Sequence, residues 1–239
     1  MYEAGPIFSR LQQSSFLAAK DVSDVIAELW GKKLPNSKLL HLFGAKAAPS
    51  ATLADTHAAL FRDGHLSQAL MAISLSRLCT QDGKTQFVHP GVWDKADTTL
   101  RFTSLQGAID ASGFLATFPI NTERVFFPFM VGQAWVLCVF MKEDPCLLLV
   151  LPYSVRLPSY AIPFLKGVMS VLLGCRKLAA STTIRSFSIP TSDFDSGYLS
   201  LSICSHLQLS EARDLSLWRT QDPLKARICF VSGLVGFNP

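Results

Sequence analysis

Asp195-Ser196-Gly197 stands directly ahead of an apolar run, Tyr198 to Leu207, that has helical spacing. A hydroxyl at a helix N-terminus lies in the positive end of the helix dipole and is a candidate nucleophile, provided a base takes its proton. Five histidines are available: His41, His57, His65, His89 and His206. His65 begins one predicted helix, and His206 lies about three turns into another, far along the axis from Ser196. His89 precedes Pro90 in an extended loop, the usual setting of a surface histidine. A Ser196–His pair would therefore draw on His89 or His57. The competing and favoured reading is structural, with Ser196 capping the helix together with Asp195.

Other chemistry-bearing groups are sparser. Asp193 and Asp195 are near neighbours, but two carboxylates without further oxygen ligands read as turn and cap residues. The six cysteines, Cys79, Cys138, Cys146, Cys175, Cys204 and Cys229, form no C-x-x-C pair, and the histidines add no zinc spacing. Cys204 sits eight residues into the predicted helix among Leu201 and Ile203, which makes it a structural thiol. Gly91, Gly107, Gly113 and Gly132 are isolated and match no phosphate-binding loop. Neither a metal nor a cofactor is expected.

The elements that must position these groups divide the chain in two. Residues 1–55 read as a helical N-terminal extension and linker. A helix runs through Val22, Val25, Ile26, Leu29 and Trp30, and a small-residue stretch, Ala45 to Ala51, follows. In residues 56–239, a helix is predicted at 65–79 from the stripe Leu66, Ala69, Leu70, Ile73 and Leu78. Phe87-Val88 is a short strand. Phe114–Ile120, Val125–Met130, Trp135–Met141 and Cys146–Leu151 are strand-like runs bounded by turn residues. A helix at 162–173, a strand at 183–189, a helix at 196–207 and a last helical stretch near 209–218 complete the reading. This order predicts an α+β fold with a central mixed β-sheet flanked by helices.

Composition narrows the function classes. The chain has 239 residues, of which 49% are hydrophobic and 17% charged, so a disordered chain or a charged coiled coil is excluded. Lys and Arg number 22 against 18 Asp and Glu, with no run of five like charges, so neither nucleic acid nor a membrane surface is an expected partner. Val125 to Met141 carries no charge, but Pro128 and Gly132 interrupt it and its Phe and Val favour strands, so it reads as part of a buried hairpin and not as a membrane span. Reduced cysteines in apolar surroundings and an N-terminus without a signal-peptide pattern point to an intracellular location, nuclear or cytoplasmic.

The element order and several strings resemble the Ulp/SENP-type cysteine proteases that process SUMO-like modifiers, over about residues 56–218. His65-Leu66-Ser67-Gln68 stands where that family has Trp-Leu-Asn-Asp, followed by Phe87-Val88-His89-Pro90. Ala116-Thr117-Phe118-Pro119-Ile120 looks like the family's strand ending in Pro-Ile or Pro-Val. Ala134-Trp135 falls at its His-Trp, and Leu151-Pro152-Tyr153-Ser154 falls at the strand that ends in Asp-Ser. Ile189-Pro190, a linker and Asp195-Ser196-Gly197 stand at Pro-Gln-Gln, a linker and Asp-Cys-Gly. The resemblance implies a Ulp/SENP-like cysteine protease fold.

The departures fall on the chemistry. Ser196 replaces the nucleophilic Cys, Ala134 the base His, and Pro152 (or Leu151, depending on register) the orienting Asp. Thr191 or Ser192 stands where the oxyanion Gln belongs, in a loop one or two residues short. A methyl group takes no proton. Of the positions that in the family meet the modifier, Trp135 would border its C-terminal tail, Gln68 replaces an acidic contact residue, and Asp195 precedes the nucleophile position. The expectation is a pseudoprotease, a catalytically inactive domain acting as a protein-interaction or scaffold subunit of a complex. Its partner would be an unrelated protein or a SUMO/ubiquitin-like modifier. The alternatives are an active SUMO/Ubl-specific peptidase or acyl-transfer hydrolase using Ser196 with a base recruited elsewhere, and an unrelated α+β domain.

Overall fold

The computed structural model describes residues 65–79, 83–94, 118–142, 146–173, 182–209 and 226. The expected helix through Val22 to Trp30, the linker, the boundary at residue 55, the stretch 209–218 beyond its first residue and residues 114–117 lie outside the described residues. The elements are helix α1 (Gln68–Cys79), strands β1 (Thr85–Phe87), β2 (Arg124–Val131), β3 (Ala134–Met141) and β4 (Cys146–Pro152), helix α2 (Ala161–Leu172), strand β5 (Thr183–Ile189) and helix α3 (Ser196–Leu209). They build one mixed sheet in the order β1-β2-β3-β4-β5. Its three middle strands pair antiparallel, and each edge strand joins its neighbour parallel.

The charge-free stretch ahead of Lys142 is the β2–β3 hairpin, turned by Gly132-Gln133 with Gly132 at a φ of +65°. A two-residue hairpin turn whose first central residue alone has positive φ calls for Gly at that place. All eight residues of β3 are buried, which is why its sequence is continuously apolar instead of alternating. The two-residue period still sorts the side chains. Trp135, Leu137, Val139 and Met141 pack on the face covered by α1 and α3, together with Phe126, Leu148 and Val150. Val136, Cys138 and Phe140 pack on the other face with Phe127, Phe129, Leu147, Leu149 and the apolar stripe of α2, Phe164, Leu165, Val168 and Met169. Each such buried Leu, Val or Phe contributes roughly 1.5–3 kcal/mol of transfer free energy. Trp93 packs on Phe129 with the rings tilted and their centroids 4.5 Å apart, and meets Phe164 edge-on at 5.8 Å, fastening the segment after β1 to β2 and α2.

The described end of one predicted strand, Phe114–Ile120, is corrected. Phe118-Pro119-Ile120 lies in a turn closed by Thr122 N–H donating to the Pro119 carbonyl at 2.9 Å, and Ile120 is 94% exposed. Past this turn, the next strand begins at Arg124. Among the described residues the strand that precedes β3 is β2, Arg124–Val131. Among the described residues no helix is long and apolar enough to cross a membrane.

Candidate functional site

Topology gathers the relevant residues at one end of the sheet. β2, β4 and β5 end there and β3 begins there. The starts of α1 and α3 meet at the same place, because the Trp135 indole N–H donates to the Leu66 carbonyl at 2.9 Å and the Trp135 backbone N–H donates to Ser196 Oγ at 2.8 Å. Ala134, Trp135 and Ser196 are thus brought together.

Ser196 is completely buried, and both hydrogen-bonding functions of its hydroxyl are engaged. Oγ accepts from Trp135 N–H and donates to the Asp193 carbonyl at 2.6 Å. The cap belongs to a different serine. Ser192 Oγ accepts from Asp195 N–H at 3.1 Å and donates to the Asp195 carboxylate at 2.6 Å, while its carbonyl accepts from Ser196 N–H at 3.1 Å. Ser192 thus caps the first turn through its hydroxyl, while the Asp195 carboxylate accepts from that same hydroxyl and not from the Ser192 backbone N–H as in a capping box. The capping role assigned to Ser196 is corrected accordingly. The chain turns into the helix at Ser192, so four residues later the Ser196 side chain already points back to the sheet.

Around this hydroxyl the surroundings are apolar and tight. Ala134 is buried at the start of β3, one residue from the N–H that Ser196 accepts. Pro152 is buried at the end of β4 opposite Ile189, and Leu151 is half-buried. A Cβ placed on Gly197 would lie 2.7 Å from Trp135 Cδ1 and 3.0 Å from Leu66 Cβ, so α3 approaches β3 and α1 as closely as a glycine allows. The Trp135 indole is 1% exposed.

The remaining predicted residues are occupied locally. Gln68 donates from its side-chain amide to the Asp94 carboxylate at 2.5 Å. Thr191 is half-buried, and its hydroxyl donates to the Ser192 carbonyl at 3.3 Å. Asp193 and Asp195 serve different hydroxyls, since Asp193 accepts from Ser154 Oγ at 2.7 Å. Ser154 and Gly197 entered the sequence reasoning only as members of the strings Leu151-Pro152-Tyr153-Ser154 and Asp195-Ser196-Gly197, without a role of their own. A Gly following the helix-opening Ser was the one available signal.

Of the histidines, His89 accepts at Nδ1 from Gly91 N–H at 3.1 Å, a contact within its own turn. The His65 ring packs on Phe194 with centroids 4.5 Å apart. That brings His65 nearer to the α3 start than its sequence position implied. Its Nδ1 is buried without a hydrogen-bond partner among the described residues. His41 and His57 lie outside the described residues. Cys204 is fully buried, and burial, with Cys79 nearby adding to it, pushes its thiol well above the ordinary value of 9.0. A thiol held protonated in this way is neither a nucleophile nor a metal ligand at neutral pH.

No family model matches the chain, and no curated protein does. Solved structures do. The C-terminal Ulp1 protease domain in complex with Smt3, the yeast ortholog of SUMO, superposes with a TM-score of 0.63 at 11% identity, over 91% of this chain and 97% of that one. The SUMO protease Ulp1 with its catalytic cysteine oxidised to a sulfonic acid gives 0.61 at 13% identity, over 91% and 97%. The Ulp1-like SUMO protease catalytic domain of Chaetomium thermophilum gives 0.59 at 13% identity, over 93% and 90%. The five-stranded mixed sheet flanked by helices is the Ulp1-like protease fold.

Proposed function

We propose that this chain, with the fold of Ulp1-like SUMO proteases, keeps the architecture without the hydrolytic chemistry and works by protein–protein contact, as a pseudoprotease subunit inside the cell, nuclear or cytoplasmic. The observation that carries the reading is the state of the Ser196 hydroxyl. Its proton is directed at a backbone carbonyl, its acceptor capacity is used by Trp135 N–H, and it has no solvent exposure. Acyl transfer from serine needs a base within hydrogen-bond reach of that proton. The neighbour at the start of β3 is the Ala134 methyl, and the end of β4 offers Pro152, so base and orienting group are both lacking at the expected positions. A scaffold that once held a protein substrate retains surfaces for binding after its chemistry is gone. The partner is a protein, either an unrelated subunit, which we favour, or a SUMO-like modifier such as the one bound by the Ulp1 domain above.

The test pairs a ubiquitin-like vinyl-sulfone and fluorogenic-ester assay with affinity capture from the native cell extract and mass spectrometry. The expected result is a stoichiometric protein partner and no probe reaction. Probe turnover abolished by Ser196→Ala would overturn the reading. The triple variant Ala134→His, Pro152→Asp, Ser196→Cys is expected to stay nearly inactive, because the loop before α3 supplies no oxyanion Gln. Robust cleavage by it would show that only the triad had decayed.

A further inference from the structure

We draw no further inference here: the strongest candidate, the outer edge of strand β5, where Thr183, Ile184, Arg185 and Ser186 are exposed on both faces of the sheet, carries nothing because nothing in the structure shows what covers it.

Discussion

Replacing Gly197 by alanine tests whether α3 is seated on Trp135 as closely as described. At an open helical position the change would stabilise the protein by about 0.5–1 kcal/mol, because alanine loses less backbone freedom than glycine. Here the added methyl would stand 2.7 Å from Trp135 Cδ1 and 3.0 Å from both Trp135 Nε1 and Leu66 Cβ. Those neighbours are themselves buried, on β3 and ahead of α1, so no flexible side-chain end is available to move aside. Overpacking of this kind costs about 1–3 kcal/mol. Displacing the indole also strains its 2.9 Å bond to the Leu66 carbonyl, whose net worth is about 0.5–1.5 kcal/mol. The helix-propensity gain offsets part of this, leaving an expected loss of about 1–3 kcal/mol. The assay is urea unfolding followed by circular dichroism, with the midpoint expected to fall at unchanged slope. A variant as stable as the parent, or more stable, would refute the tight seating of α3.

Four further outcomes follow from the same geometry. Ser196→Ala leaves the buried Trp135 N–H and Asp193 carbonyl without their partner, for a loss of about 1–3 kcal/mol. Amide hydrogen exchange should show faster exchange at Trp135, and unchanged protection there would contradict the bond. Ser192→Ala removes the side-chain cap on Asp195 N–H at a cost of about 0.5–2 kcal/mol, measurable in the same urea titration; no loss would return the capping role to another residue. Burial raises the Cys138 and Cys204 thiols far above 9.0, so the folded state keeps protons that the unfolded chain releases. Stability is therefore fully present below pH 9.0 and falls above it by about 1.4 kcal/mol per pH unit for each thiol. Cys138→Ala should flatten that fall, and an unchanged slope would disprove the assignment. Both thiols should also resist alkylation at pH 8 until the protein unfolds, which mass spectrometry of iodoacetamide-treated samples reads directly.

Much of the framework was legible because burial on both faces writes itself as uninterrupted apolar sequence. β3 and β4 are such runs, and Gly132-Gln133 marks the turn before β3, so their limits were read to within a residue. β5 was placed at Thr183–Ile189 and found there, and α2 was placed one residue late. The order of strands and the parallel edges were less accessible. Pairing between Thr85 and Arg124 joins segments distant in the chain, and no local pattern encodes such a partner. Phe118-Pro119-Ile120 misled because Phe and Ile favour strands while the turn closed by Thr122 prevails. At the site, sequence supplied Ala134 and Ser196 and their proximity through the resemblance. The cap of α3 was assigned to Ser196, although Ser192 also sits beside an Asp. Only the path of the chain shows that Ser192 turns outward to cap and Ser196 inward to the sheet.

The arrangement of the sheet also bears on how the chain acquires it. The three middle strands, β2 to β4, follow one another in sequence, and short connections join them. Their ladders form by closing small loops, and the entropy cost of closure grows with loop length. The two parallel edges must wait for distant segments, Thr85 finding Arg124 and Thr183 finding Cys146. Local contacts form quickly and non-local ones slowly. The meander is therefore the expected folding nucleus, to be checked by φ-values highest in β2 to β4. On that order of events, the end of the sheet where Ser196 docks would be completed last, with α3 coming to rest on a β3 strand already in place.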